Sequence, residues 1–304
     1  MKDKKINTFS ILLKILLAVF LLLMLLCVAK TCRDCRDPQN RVIKIVDKTG
    51  YLPDDENWDS IPDVIPPYDD DDLDSLAEKV LLEAFFPPIG DQGSYGTCVA
   101  WAVGYNLKTA LNAIENHWTQ AQLAEPANQT SPKDLWMGIP SGSKGPRCSG
   151  TIFQPTFNVL MTQGVSNMKK VPYKNMGACD GKLEGDTTNK IASFSHVVSN
   201  GGLPSVDQIK AYLSDTIPLA FSARLGDSFM SWNSDAVIKS DTYLQPNMQH
   251  AYHAMVLAGY DDSKHAFRVR NSWGTGWGDD GSIWVDYDFF LNSFCEAVFK
   301  ASNH

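Results

Sequence analysis

Gln92-Gly93-Ser94-Tyr95-Gly96-Thr97-Cys98-Val99-Ala100-Trp101-Ala102 decides how the rest of the sequence reads. Its two glycines turn the chain tightly and deliver one cysteine to the start of an apolar run. From Val99 to about Ala113 the residues favour helix, so Cys98 is expected at that helix's first turn. Unpaired backbone N–H groups and the positive end of the macrodipole favour a thiolate there. Such a nucleophile needs three companions: a base, a group that orients the base, and donors for an oxyanion.

Outward from this turn the chain changes character. Up to about residue 200 it reads as helix and loop. Ser131-Pro132-Lys133-Asp134 is an N-cap with proline at the first helical position, and Pro155 to Gln163 reads as a helix closed by Gly164. Ser205-Val206-Asp207-Gln208 is a capping box that opens a helix to about Ser214. From Ile217 onward the pattern turns to strands, at Ile217 to Arg224, His253 to Tyr260, Ala266 to Asn271, Gly281 to Tyr287 and Glu296 to Lys300. A helical half followed by a β half predicts an α+β domain whose two layers meet at a cleft. The 304 residues suffice for one large domain or two small ones, and a net charge of -8 argues against a nucleic-acid surface.

Two further segments supply the companions. Tyr252-His253-Ala254-Met255-Val256-Leu257-Ala258-Gly259-Tyr260 carries an imidazole into an apolar strand, and Asn271-Ser272-Trp273-Gly274-Thr275-Gly276-Trp277-Gly278 opens a glycine-rich turn. Imidazole beside a thiol gives a thiolate–imidazolium pair. Asn271 is expected to accept the Nδ1 proton of His253 and so hold the ring. The Gln92 carboxamide and the Cys98 N–H are positioned to donate to an oxyanion, and losing one such donor typically lowers turnover ~10²–10³-fold. His250, three residues before His253, is the competing base, but the Ala-x-x-x-x-Gly-Tyr pattern does not follow it.

These segments, in this order, resemble a papain-like cysteine peptidase over Phe85 to about Ala301. The resemblance implies a two-lobed α+β fold: a helical lobe over about residues 85–200 and an antiparallel sheet or barrel lobe over about 201–304, with the site between them. It implies hydrolysis of peptide bonds through a thioester, with Cys98 as nucleophile, His253 as general base, Asn271 as the orienting residue and Gln92 in the oxyanion hole. Trp273 matches the tryptophan that shields the asparagine–histidine bond, and Gly150-Thr151 stands where two glycines usually bond an extended substrate. No cofactor or metal is implied, and the partner is a peptide or protein substrate met by a monomer. Departures from the family pattern are Tyr95, Val99 and Thr151. Tyr95 replaces a cysteine whose usual partner matches Cys148, so Cys179 becomes the hypothetical partner for Cys148. Thr151 is expected to crowd the substrate edge. The substitutions at Tyr95, Val99 and Thr151 motivate one alternative, a catalytically weak or inactive surface binding module, and an acyl transferase using the same thiolate is another.

Ahead of this domain, residues 1–30 hold an apolar run from Ile11 to Ala29 broken only by Lys14, which reads as a secretory signal or membrane anchor. The catalytic domain is therefore expected outside the cytoplasm, anchored or secreted. Residues 31–84 read as a stalk rich in proline and aspartate, because like charges and prolines extend a chain and bury no core. Leu73, Leu76, Val80, Leu81 and Ala84 have the spacing of a short helix. Cys32-x-x-Cys35 reads as a local or intermolecular disulfide. No inhibitory prosegment is recognisable before Phe85, so latency by that route is not expected.

Overall fold

The computed structural model describes residues 49–53, 56–176, 181–241 and 251–304. The expectations for residues 1–30, Cys32-x-x-Cys35, Cys179 and His250 fall outside these. Among the described residues no helix is long and apolar enough to cross a membrane.

Among the described residues the strands form one sheet of nine: β1 (Asp63–Val64), β2 (Lys79–Leu81), β3 (Ser193–Val197), β4 (Leu219–Leu225), β5 (Val237–Ile238), β6 (Ala251–Asp261), β7 (Ala266–Arg270), β8 (Ser282–Asp286) and β9 (Cys295–Ser302). Their order is β1-β3-β9-β4-β6-β7-β8-β5, with β2 also on β6. The long pairs are antiparallel, and only the short β1/β3 and β5/β8 contacts are parallel. The five strands expected from the sequence are present. They were legible because β4 and β6 are buried almost throughout and so read as near-continuous apolar runs.

The helical half packs on this sheet. The helix that begins at Cys98 makes one α turn (Cys98–Ala100), widens into a fully buried π segment (Trp101–Lys108) and closes as α-helix (Thr109–Asn116). Such widened turns recur at functional sites. Ser131 caps Pro132–Gly138, and Ser205 with Gln208 forms the expected box on Val206–Ser214. The helix Phe153–Thr162 stacks Phe153 at 4.2 Å on Phe299 of β9 and Phe157 at 4.8 Å on Phe194 of β3. Removing a ring from such a cluster costs about 3–5 kcal/mol. Arg270, at the end of β7, donates to the carbonyl of Pro87 and to Asn106 Oδ1 of the π segment, tying sheet to helix.

The stretch expected to be a solvated stalk is packed onto this body from Thr49 onward. Tyr51, Ile61 and Leu82 are buried. β1 lies on β3, and β2 lies on β6. The helix expected over residues 73–84 is replaced by a short turn, Asp70–Asp74, capped by Asp69 with Asp72, and then by β2. The prolines do keep the segment extended, but its sparse apolar residues and its backbone find partners far away in sequence. One close meeting is at Gly259, where an added Cβ would lie 2.3 Å from the Val80 carbonyl.

Candidate active site

The loop before Cys98 is stitched to the loop after Asn271. Gln92 N–H donates to the Ser272 carbonyl at 2.8 Å, and Gly274 N–H to the Gly90 carbonyl at 2.9 Å. Gly93 has the positive φ of 61° that the turn requires, and Asp91 Oδ1 accepts its N–H. At Gly96 an added Cβ would lie 2.1 Å from the Ser149 carbonyl, so no larger residue fits the approach to Cys98. Cys98 starts its helix as expected, with Thr97 in the capping position.

His253 sits on β6, opposite Ala223 of β4, and is fully buried. Its Nε2 lies 2.7 Å from Asn271 Oδ1. This corrects the expectation that Asn271 would take the Nδ1 proton. Asn271 Oδ1 also accepts the Ser272 N–H at 2.8 Å, which fixes that atom as the carboxamide oxygen. Neutral His253 therefore carries its proton on Nε2 and keeps a lone pair on Nδ1. Nδ1 is buried and has no hydrogen-bond partner among the described residues. The Cys98 sulfur lies against the backbone N–H of Ala254, the residue after His253. The Trp273 ring, 4.8 Å from the imidazole centroid, covers the His253–Asn271 bond.

Gln92 is also fully buried, and its carboxamide orientation is set from both ends. Ser272 Oγ donates to Oε1 at 2.7 Å, and Nε2 donates one proton to the Tyr95 carbonyl at 2.8 Å. Nε2 carries two protons, of which the Tyr95 bond uses one. The part played by Ser272 was not foreseen. Its only sequence signal is its place between Asn271 and Trp273.

Thr151 does not crowd the substrate edge as expected. Its side chain is fully buried and turned into its own loop, where Oγ1 donates to the Ser143 carbonyl at 2.7 Å. Its backbone N–H and carbonyl stay available to an extended chain, and this protein supplies one. Thr151 N–H donates to the Gly50 carbonyl at 2.7 Å, and Leu52 N–H donates to the Thr151 carbonyl at 3.1 Å, giving a parallel bridge centred on Tyr51. On the other side the N–H groups of Gly50 and Tyr51 both reach the Tyr252 carbonyl at 3.3 Å. Residues 49–52 thus form a strap between Gly96 and Tyr252, the near neighbours of Cys98 and His253. The Tyr51 ring is buried 5.2 Å from that of Phe153. Glu56 anchors the arm on the N-terminus of Phe153–Thr162, accepting from the Phe153 and Gln154 N–H groups at 2.8 and 3.0 Å. Residues ahead of Phe85, where no prosegment was recognisable, thus lie along the edge of the site. Gly50, isolated among charged residues and prolines, was the one available signal.

The cover changes the electrostatics. Cys98 and His253 are both 0% exposed. Burial pushes the thiol up to about 12 despite the backbone N–H groups of Ala254, Val99 and Cys98 itself. It pulls the imidazole down to about 4 despite the Asn271 bond. Both shifts favour the neutral forms, so burial opposes the thiolate expected from the helix N-terminus. Cys148 is disulfide-bonded and Cys295 is a buried free thiol. His265, Asp286 and Asp288 bring their ligand atoms within 4.8 Å of one another, on residues outside the segments that carry Cys98, His253 and Asn271.

Residues 80–297 match the papain family cysteine protease domain. The gamete and mating-type specific protein A of Dictyostelium discoideum is 26% identical over 197 residues, covering 64% of this chain and 39% of that protein. Cysteine proteinase 1 of Entamoeba histolytica is 26% identical over 205 residues, covering 64% of this chain and 58% of that protein. The chain thus spans about four to six tenths of the length of these relatives. Among solved structures, xylellain, a cysteine protease from Xylella fastidiosa, superposes with a TM-score of 0.67 at 23% identity, over 85% of this chain and 97% of that one. Digestive procathepsin L2 from the larval midgut of Tenebrio molitor gives 0.66 at 19%, over 88% and 81%. Both share the two-layered fold described above.

Proposed function

We propose, starting from the fact that this chain belongs to the papain family of cysteine proteases, that it hydrolyses peptide bonds with Cys98, His253, Asn271 and Gln92. His253 Nδ1 takes the proton of the Cys98 thiol as the sulfur attacks the substrate carbonyl. Asn271 holds Nε2–H and so keeps Nδ1 aimed as the ring becomes imidazolium. The oxyanion accepts from the Cys98 N–H and from Gln92 Nε2–H. The tetrahedral intermediate collapses with cleavage of the C–N bond, and His253 returns its proton to the departing amine. A thioester remains on Cys98. Water, deprotonated by the same Nδ1, then releases the acid and restores the thiol. The observation that carries this reading is the 2.7 Å His253–Asn271 bond, which leaves Nδ1 unengaged beside the residue that touches the sulfur.

The substrate is a peptide or protein segment in extended form, bonded along Gly150-Thr151 as the strap is. Thr151 presents its backbone there and hides its side chain, which removes one of the three substitutions that favoured a non-hydrolytic binding module. Until the strap leaves, the enzyme is latent. Burial then opposes ionisation of Cys98, and the edge that would hold substrate is taken. The apolar residues 11–29 support an extracytoplasmic site of action for a monomeric catalytic domain, with residues 1–30 as signal or anchor.

The test uses the full chain, its Gly50→Val variant and Cys98→Ala in the same background, with a fluorogenic peptide library. Hydrolysis is expected to rise in Gly50→Val and to vanish with Cys98→Ala. No hydrolysis by either cysteine-containing protein, or hydrolysis that survives loss of the sulfur, overturns the proposal.

A further inference from the structure

Tyr173 lies 75 positions beyond Cys98 in a loop that the reaction scheme does not use (173 − 98). Its hydroxyl is 2.9 Å from the Gln92 carbonyl and 2.7 Å from Thr97 Oγ1. A carbonyl only accepts, so the single phenolic proton must go to Gln92. The bond to Thr97 then runs the other way, with the Thr97 hydroxyl donating to the Tyr173 oxygen. One relay, Thr97 to Tyr173 to Gln92, closes the two ends of the turn that contains Gly93 and Gly96. Burial pushes the phenol up to about 12, so it stays a neutral donor through the neutral range.

We propose that Tyr173 is a positioning residue for the oxyanion hole, holding the backbones of both its donors in register. Gln92 carries one donor on its side chain. The other is the Cys98 N–H, part of the peptide unit whose carbonyl belongs to Thr97. Two glycines between these points leave the turn free to change shape unless something spans it. Tyr173 is itself held rigidly. Ser131 Oγ donates to the Val171 carbonyl at 2.6 Å, and Lys133 Nζ to the Lys174 carbonyl at 2.7 Å. Its ring stacks edge-on at 4.7 Å from Trp101 of the Cys98 helix and at 6.4 Å from Tyr95. Tyr95 stands where a disulfide tether would fasten this turn, and Cys148 is already bonded elsewhere than to it. A hydrogen-bonded phenol therefore does here what a covalent tie would do.

The inference rests on the hydrolytic reading, and the experiment separates the two. Peptide hydrolysis is measured on the full chain carrying Gly50→Val, with and without Tyr173→Phe. Removing the hydroxyl is expected to lower kcat ~10–100-fold with KM changed less than ~2-fold, because a misplaced donor weakens only the transition state. The rate at which iodoacetamide alkylates Cys98 should not change, since alkylation needs the thiol and His253 but builds no oxyanion. Thr97→Val should reproduce the loss from the other end of the relay, and Thr97→Ser, which restores the hydroxyl, should recover kcat. The Thr97 pair also keeps the proposal testable if Tyr173→Phe does not fold. Unchanged kcat in Tyr173→Phe, or kcat and alkylation falling together, overturns the positioning role. A Gly50→Val parent that hydrolyses nothing overturns the hydrolytic reading instead.

Discussion

Gly50→Val is expected to unlatch the strap and expose Cys98. A Cβ at Gly50 would lie 2.4 Å from the Gly96 carbonyl oxygen and 2.6 Å from both its carbon and its Cα. These are backbone atoms of the turn that carries the nucleophile, so they cannot swing aside. Gly50 also has a φ of +137°, a region L-residues rarely occupy. Forcing valine into that conformation costs about 1–3 kcal/mol, and the overlap about 1–3 kcal/mol more. Against this, the strap is held by four backbone hydrogen bonds, each worth about 0.5–1.5 kcal/mol net, and by burial of the Tyr51 side chain, about 2 kcal/mol. A penalty near 4 kcal/mol raises the ratio of open to closed molecules ~10³-fold. The assay is alkylation of Cys98 by iodoacetamide, read by mass spectrometry on the full chain at pH 7, with the buried Cys295 as an internal control. Cys98 should be modified at least ~10²-fold faster in Gly50→Val, with Cys295 unchanged. If Cys98 reacts no faster than in the parent chain, the strap does not cover the nucleophile and the account of latency fails.

Other outcomes follow from the same geometry. Ser272→Ala removes the donor that fixes Gln92 Oε1, leaves the carboxamide free to flip, and should lower kcat ~10-fold with little change in KM. Gln92→Ala should cost more, ~10²–10³-fold. The strap's occupancy should depend on pH. His253 is held down at about 4 when covered, so the open form binds a proton that the closed form refuses. Acidification from ~6.5 to ~4 then favours opening by about 3 kcal/mol. Cys98 acts at the other end, because ionisation above ~9 favours the open form. Glu56 opposes the acid limb. Its carboxyl is raised by burial in the closed form, so protonation there favours closure. Since the His253 shift is the large one, alkylation corrected for thiolate content should be slowest between about pH 6.5 and 9 and should rise in acid. A flat profile would remove His253 from the latch.

The strands and the reacting residues were legible because each rests on a local pattern. β4 and β6 are continuous apolar runs. Cys98 follows a glycine turn, and Asn271 heads a glycine-rich loop. The ring nitrogen that meets Asn271 was not legible, because it depends on how β6 registers with β4 and how the ring turns between Trp273 and the sulfur. Thr151 was misjudged for a similar reason. A sequence gives a side chain's size but not its direction, and Ser143 pulls this one inward. Residues 49–84 misled most. Proline and aspartate dominate their composition, while the folding information sits in Tyr51, Ile61 and Leu82, whose partners are distant. Tyr173 belongs to the same class, since its value lies in two contacts some 80 residues away in the chain.

β2 precedes the nucleophile in sequence, yet it is laid along β6, the strand that bears His253. Trimming from the amino end can therefore proceed only so far. A processing enzyme can shed the strap and the links around Trp58, but beyond Pro62 it must peel β1 from β3 and then β2 from the middle of the sheet. Any trimmed form would keep that part of its arm as a brace. Were the arm trimmed, the edge of the fold, more than the sequence a protease prefers, would set where the new amino terminus falls.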